Sequence, residues 1–363
     1  MQHNGLSRRS FAQAIAAGAA FAALPKLAFA QQKPQRSALV RLSANENPYG
    51  PSASAMRAMT DALHDAPRYP DELSEALCAD VATFHKLTCD EVLLGDGSSD
   101  ILRVVASAYG GPGKKVVIAD PTFEAIAHYA QHDGTEVVKV PLDASYAHDL
   151  DKMKSGDIVY ICNPNNPTAT ITPKAKIREF LAAVPQSTIV LVDEAYHHYT
   201  NSADYESVIP LVATTPNLIV ARTFSKIYAM AGVRAGYAVA KKSVINKLSA
   251  AQQWDAMNVV ALAGARASLA DSEHVITGRR HNDTTKQWLR AQVKSLGYEM
   301  LPSEANFVMI DVRRDVKPLI SGMREHGVHV GRLFPAMPHH LRVTIGRPEE
   351  MEAFVGAFKV VMA

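Results

Sequence analysis

Six short runs of β-branched and apolar residues punctuate the chain between residues 92 and 221. They are VLLG at 92–95, VVIA at 116–119, EVVKV at 136–140, DIVYIC at 157–162, TIVLVD at 188–193 and NLIVA at 217–221. Each is too short for a typical helix and too continuously apolar for a half-exposed strand. The segments between them read as helical; Leu73, Ala76, Leu77, Val81 and Phe84 set that pattern before the first run. Buried strands alternating with helices imply an α/β fold, a mostly parallel sheet covered by helices on both faces. Sheets of that kind bind ligands outside the carboxyl ends of their strands.

The chain outside these runs reads differently. Residues 258–296 are rich in Ala, Leu, Arg and Gln without a strand-like run, which predicts helices. NFVMIDV at 306–312, VHVG at 328–331 and LRVTIG at 341–346 read as short strands with helices between and after them. Residues 31–70 carry Pro34, Pro48, Pro51, Pro67 and Pro70 and few periodic apolar positions, which suggests an arm. The expected organisation is an arm over 31–70, a large domain with a seven-stranded type of sheet over 71–245 and a smaller α+β domain over 246–363. A length of 363 residues suits two domains. Apolar content of 47% and charged content of 20% are ordinary for a soluble globular protein. No run of Lys or Arg forms a nucleic-acid footprint.

The first thirty residues contain Arg8, Arg9 and Lys26 and no Asp or Glu. Ser7-Arg8-Arg9-Ser10-Phe11 precedes an Ala-rich stretch from Ala12 to Ala23, and Ala28-Phe29-Ala30 has the small-x-small form of a cleavage site. This is the pattern of a twin-arginine signal peptide spanning 1–30, which predicts export, to the periplasm, without a stable membrane anchor. The apolar stretch of about a dozen residues is shorter than the roughly 20 that span a bilayer. Loss of the three cationic residues takes the formal charge from +2 to −1.

Cys78, Cys89 and Cys162 are odd in number and lack the spacing of a metal site, which argues against a disulfide framework or bound zinc. Cys162 ends an apolar run and reads as a core thiol. Pairing of Cys78 with Cys89 is left open by the sequence.

Four polar patterns follow or interrupt the apolar runs: NPNNPTA at 163–169, VDEAYHHY at 192–199, TFSKIYAMAGVRAGY at 223–237 and LRVTIG at 341–346. A fifth, Gly95-Asp96-Gly97-Ser98-Ser99-Asp100, follows VLLG and opens a helical pattern, where free N–H groups and the helix dipole favour a phosphate. In this order and spacing the patterns resemble the cofactor site of a fold-type I aminotransferase dependent on pyridoxal 5′-phosphate (PLP). The resemblance is strongest to the histidinol-phosphate aminotransferase branch and covers nearly all of the chain after residue 38.

The resemblance implies a role for each residue. Lys226 would hold PLP as a Schiff base and, once freed, move a proton between the substrate's Cα and the cofactor. Asp193 would pair with the pyridine nitrogen, and Tyr196 and Asn166 would donate to the ring oxygen. Gly97, Ser98, Ser99, Thr223, Ser225 and Arg234 would cradle the phosphate, and Phe123 would stack on the ring. Arg342 would clamp the substrate α-carboxylate. In Asn45-Glu46-Asn47-Pro48-Tyr49-Gly50, Asn45 and Tyr49 would lie by the substrate, and Arg332 would face its far end. Tyr69, in Arg68-Tyr69-Pro70, would reach the cofactor phosphate of a second subunit, implying a homodimer with a shared site.

Three positions depart from the branch. Ala169 replaces the usual glycine of NPTG. His197-His198 stands near where an acidic residue is usual. Arg332 comes one residue later than the arginine that meets the substrate phosphate. The expected activity is amino-group transfer between an amino acid and a 2-oxo acid in amino-acid metabolism. The alternatives are a decarboxylase of the same fold, similar to threonine-phosphate decarboxylase, and a non-catalytic protein retaining the fold.

Overall fold

The first strand of the computed structural model, β1 (Val40–Arg41), is already remote in sequence from its partner. The structure describes residues 39–363, which form one compact unit. The predicted signal peptide and residues 31–38 of the predicted arm lie outside the described residues.

A seven-stranded sheet carries the centre of the molecule. Its strands are β2 (Val92–Gly95), β3 (Lys115–Asp120), β4 (Glu136–Pro141), β5 (Ile158–Cys162), β6 (Ile189–Asp193), β7 (Leu218–Thr223) and β8 (Gly236–Ala240), in the order β2-β8-β7-β6-β5-β3-β4. Six agree with the apolar runs. The seventh, β8, is antiparallel to both β2 and β7. Its sequence, GYAVA, is masked by the polar pattern just before it. Because β8 runs backwards, its first residues stand at the carboxyl edge of the parallel strands, where Gly236 lies opposite both Gly95 and Thr223.

Alternation along the strands divides the core. Val190 and Val192 face one apolar layer, whereas Ile189 and Leu191 face the other, so the sheet is buried on both sides. The first layer also takes Ala55 and Met59 from the helix Ala53–Asp61 and Ala261, Leu262 and Ala265 from the helix Val259–Leu269. The arm is therefore partly helical, and its apolar positions, four residues apart, pack into the core of the large sheet. The segment 258–296 divides into the helices Val259–Leu269 and Ser272–Ser295.

A second core surrounds a three-stranded antiparallel sheet of β9 (Glu299–Met300), β10 (Phe307–Asp311) and β12 (His340–Thr344), with β10 in the centre. The strand β11 (Val328–His329) pairs in parallel with β1 instead. The chain then runs from β1 through Leu42 to Asn45, whose N–H donates to Thr344 Oγ1 at 2.9 Å. Cys78 and Cys89 are joined, with 5.6 Å between Cα atoms, linking the helix Asp71–His85 to the turn before β2. Two of the three cysteines thus form a crosslink, the pairing that the sequence left open. The third, Cys162, is the buried free thiol. No helix among the described residues is long and apolar enough to cross a membrane.

One buried ion pair ties β6 to β7. Arg222 Nη2 lies 2.6 Å from Glu194 Oε2, and both side chains are almost fully enclosed. Glu194 also accepts from Val208 N–H and the Ser207 hydroxyl, and Arg222 meets His197 Nε2. Burial and the Arg222 charge hold His197 and His198 well below their usual range, so both are neutral. Deleting one member of such a pair strands a buried charge, at about 3–5 kcal/mol. Arg222→Ala is expected to lower unfolding free energy by that amount in a denaturant titration. A loss below about 1 kcal/mol, the level of an exposed pair, contradicts this reading.

Candidate active site

The carboxyl ends of β3, β5, β6 and β7 and the start of β8 border a cavity of about 290 Å³. The strand register alone brings its chemistry together. Cys162 lies opposite Asp193, and Asp193 opposite Ala221, so the residues just beyond each strand emerge side by side.

Asp193 is 2% exposed, a rare burial for a carboxylate. Its Oδ2 accepts from the Tyr160 hydroxyl at 3.0 Å and its Oδ1 from Ala195 N–H at 3.0 Å. Desolvation pushes its pKa up to about 6, opposed by those hydrogen bonds and by the Lys226 charge. A value above the ordinary 3.8 means that ionising this carboxylate weakens the cofactor-free fold as pH rises through that interval. A cation placed against Asp193 removes that penalty.

Lys226 lies beyond the end of β7, with Nζ 5.5 Å from the centre of the Tyr196 ring. Burial, with the nearby Arg342 and Arg234, lowers its pKa to about 8, while Asp193 acts in the other direction. About a tenth is therefore the neutral, nucleophilic amine at pH 7, rising to about half at pH 8. The Tyr196 hydroxyl accepts from Asn45 Nδ2 at 3.1 Å and keeps its own proton for donation. Asn45 stands in the left-handed region at φ 56°, which Asn tolerates.

Arg342 projects from β12, so the second core supplies one wall. Its Nη1 donates to Asn166 Oδ1 at 2.8 Å and its Nη2 to Ser43 O at 2.6 Å. Its Nε is buried without a partner among the described residues. A buried donor left unmade costs free energy, and a carboxylate ligand would satisfy it.

The helix Ser98–Tyr109 begins at the cavity, and its N-cap Gly97 supplies no side-chain cap. Its first N–H groups, with the Ser98, Ser99, Thr223 and Ser225 hydroxyls and Arg234, form a cup for an anion. Two glycines permit it. Gly97 has φ +80°, and a Cβ there would come within 2.4 Å of Arg234 Nη2. A Cβ on Gly236 would come within 2.6 Å of Ser98 N. Arg234 itself is held at φ 66°, a strained conformation for a side chain of its size.

The structure thus gathers Asn45, Ser98, Ser99, Phe123, Asn166, Asp193, Tyr196, Thr223, Ser225, Lys226, Arg234, Arg332 and Arg342 around one cavity, with Gly97 beneath Arg234. Two predicted residues lie elsewhere. Tyr49 is outside this lining: its N–H bonds Asn47 Oδ1, and its ring packs 4.6 Å from His281, with Arg347 on its face. Tyr69 is 80% exposed beside a separate cleft. Tyr160, Thr122 and Phe334 were not anticipated. Tyr160 had a legible signal: a hydroxyl inside an apolar run needs a partner, and its side chain shares a sheet face with Cys162 and Asp193.

The departure at Ala169 is also visible. This residue is buried and sits at φ 63°, where glycine carries no Cβ penalty.

Residues 37–358 match the family model for aminotransferases of class I and II. The chain belongs to that family. It is 39% identical to the histidinol-phosphate aminotransferase of Symbiobacterium thermophilum, an alignment covering 89% of this chain and 91% of that protein. With the corresponding protein of Moorella thermoacetica identity is 37%, covering 90% and 86% respectively. The solved histidinol-phosphate aminotransferase of Sinorhizobium meliloti, in complex with PLP, superposes with a TM-score of 0.84 at 25% identity, covering 89% and 91%. The fold is therefore the fold-type I arrangement, the protein is a transaminase of this class, and its cofactor is PLP. The residues fit that group: an amine at Lys226, a carboxylate at Asp193 and an anion cup ending in Arg234.

Two outcomes test this arrangement. Apoprotein should capture PLP faster as pH rises toward about 8, as Lys226 loses its proton, and level off above. Stopped-flow absorbance reads this, and a flat profile from pH 6 to 9 contradicts it. Asp193→Asn should lower kcat/KM by about a hundredfold or more, the scale of removing one preorganised electrostatic group. A loss under tenfold means that Asp193 does not face the ring nitrogen.

Proposed function

We propose that the protein is an exported aminotransferase, loaded with PLP before export, that works as a homodimer with a shared site. The observation carrying the catalytic part is the placement of Lys226. Its Nζ makes no hydrogen bond among the described residues and lies 5.5 Å from the centre of the Tyr196 ring, where burial and the Arg342 charge lower its pKa and the Asp193 charge raises it. Bound PLP supplies an aldehyde that exchanges with amino groups and a protonated ring that takes up the electron pair left at Cα. Arg342 holds the substrate's α-carboxylate and so fixes which bonds at Cα face the ring. Lys226 Nζ would take up the Cα proton and hold it for return on the same face. Asp193 would pair with the ring nitrogen, and Tyr196 would donate to the ring oxygen.

Amino donors should convert the visible absorbance of bound PLP to that of its amine form, and 2-oxo acids should reverse the change. Lys226→Ala should abolish turnover. Release of carbon dioxide in place of a 2-oxo acid would favour the decarboxylase reading, and full transamination by Lys226→Ala would overturn the mechanism.

The shared site is supported by the exposure of Tyr69 and of Trp254, which is 90% exposed. Hybrids of a Tyr69→Ala protomer with a Lys226→Ala protomer test it. If Tyr69 serves the neighbouring site, one site of each hybrid is intact and activity returns. If it serves its own subunit, none returns.

Export is supported by the Arg8-Arg9 pattern and by the Cys78–Cys89 crosslink, which suits an oxidising compartment. An unfolded chain holds no PLP pocket, because the pocket draws on residues scattered between 97 and 342. Arg8→Lys with Arg9→Lys should therefore leave active, PLP-loaded enzyme in the cytoplasm, and undiminished export overturns the folded route.

A further inference from the structure

Five charged side chains line the cavity: Asp193, Lys226, Arg234, Arg332 and Arg342. Four have duties toward the cofactor or the substrate's α-carboxylate. Arg332 alone remains to meet a substrate side chain. It is already engaged: its Nη2 donates to Glu124 Oε2 at 2.5 Å. Its guanidinium lies 4.5 Å from the centre of the Phe334 ring, and that of Arg342 lies 5.2 Å from the same centre.

We propose that Glu124 is a specificity-determining residue, and that its pairing with Arg332 selects amino donors with uncharged side chains over those carrying a phosphate or carboxylate. This rests on the aminotransferase reading of the site. Two guanidiniums share one aromatic ring, and burial, with a further push from the charge of Arg332, lowers the pKa of Arg342. Glu124 offsets that repulsion and fixes Arg332 at the outer end of the cavity. The carboxylate is itself well placed, next to Phe123 in sequence and at the N-cap of the helix Ala125–His132, where the dipole favours negative charge. The outer subsite is therefore an ion pair without net charge. An anionic side chain arriving there must share Arg332 with Glu124 or displace it, and either course sets like charges together. An uncharged side chain meets no such opposition. Discrimination by placed repulsion of this kind is a common basis of specificity.

The test uses full-length, PLP-loaded enzyme and pairs of amino acids that differ by an anionic side-chain group: glutamate with glutamine, and O-phosphoserine with serine. The kcat/KM ratio within each pair is read for wild type, Glu124→Gln and Glu124→Asp. Glu124 is an exposed half of an exposed pair, so these variants fold. Wild type should favour the uncharged member of each pair. Glu124→Gln should shift both ratios toward the anion by about tenfold, the effect of removing one like charge from the subsite, and Glu124→Asp should return them toward wild type. A wild type that prefers the anions tenfold, or ratios that Glu124→Gln moves less than twofold, overturns the proposal. Absence of amino transfer from any donor would instead overturn the aminotransferase reading, so the two failures are distinct.

Discussion

A carboxylate sealed from water at the end of a parallel strand is the constraint on which the rest of this molecule turns. Asp193 is costly to ionise where it lies. The Tyr160 hydroxyl and one backbone N–H recover part of that cost. The remainder is offset when a cation comes against it, and the protonated ring of PLP is such a cation. In the proposed mechanism, the apolar strands that bury Asp193 therefore also set the electronic state of the cofactor. The Arg222–Glu194 pair fastens the same two strand ends from the other side of the sheet.

Much of this was legible in the sequence because the physics is local. Continuous β-branched runs gave six of the seven large-sheet strands, since a buried parallel strand cannot alternate with polar residues. Asp193 was legible at the end of such a run, where the fold gathers ligands, and Lys226 and Arg234 through the resemblance of their motif and its spacing. What stayed hidden depended on tertiary direction. The strand β8 is antiparallel, and nothing in GYAVA states which way it runs. The turn at Asn47 carries Tyr49 toward His281, an effect of one loop bond that spacing does not encode. The Cys78–Cys89 crosslink needs a helix end and a turn to approach in space, and an odd count of cysteines cannot report that. The helix Ala53–Asp61 was short and flanked by prolines, so its two core positions did not register as periodicity.

The site combines two cores with different tasks. In the proposed mechanism the large sheet holds the cofactor, since the anion cup, Asp193 and Lys226 all stand at its carboxyl edge. The second core contributes Arg342 and, just beyond β11, Arg332 and Phe334, which address the substrate. Chemistry and substrate choice are thus carried by separate parts of the chain. This explains how the cofactor pattern is preserved while the departures at His197-His198 and Arg332 fall around it. Ala169 illustrates the tolerance: at this buried left-handed position the methyl fills core volume, offsetting part of the conformational cost.

The central claim is that Asp193 holds the ring nitrogen of bound PLP protonated. The most direct measurement is the ¹⁵N chemical shift of ring-labelled PLP bound to the wild-type protein, followed from pH 6 to pH 9. The account predicts a protonated nitrogen throughout, because a cation set against the buried Asp193 carboxylate relieves its desolvation. A shift characteristic of the neutral pyridine at pH 8 in the intact enzyme would contradict it.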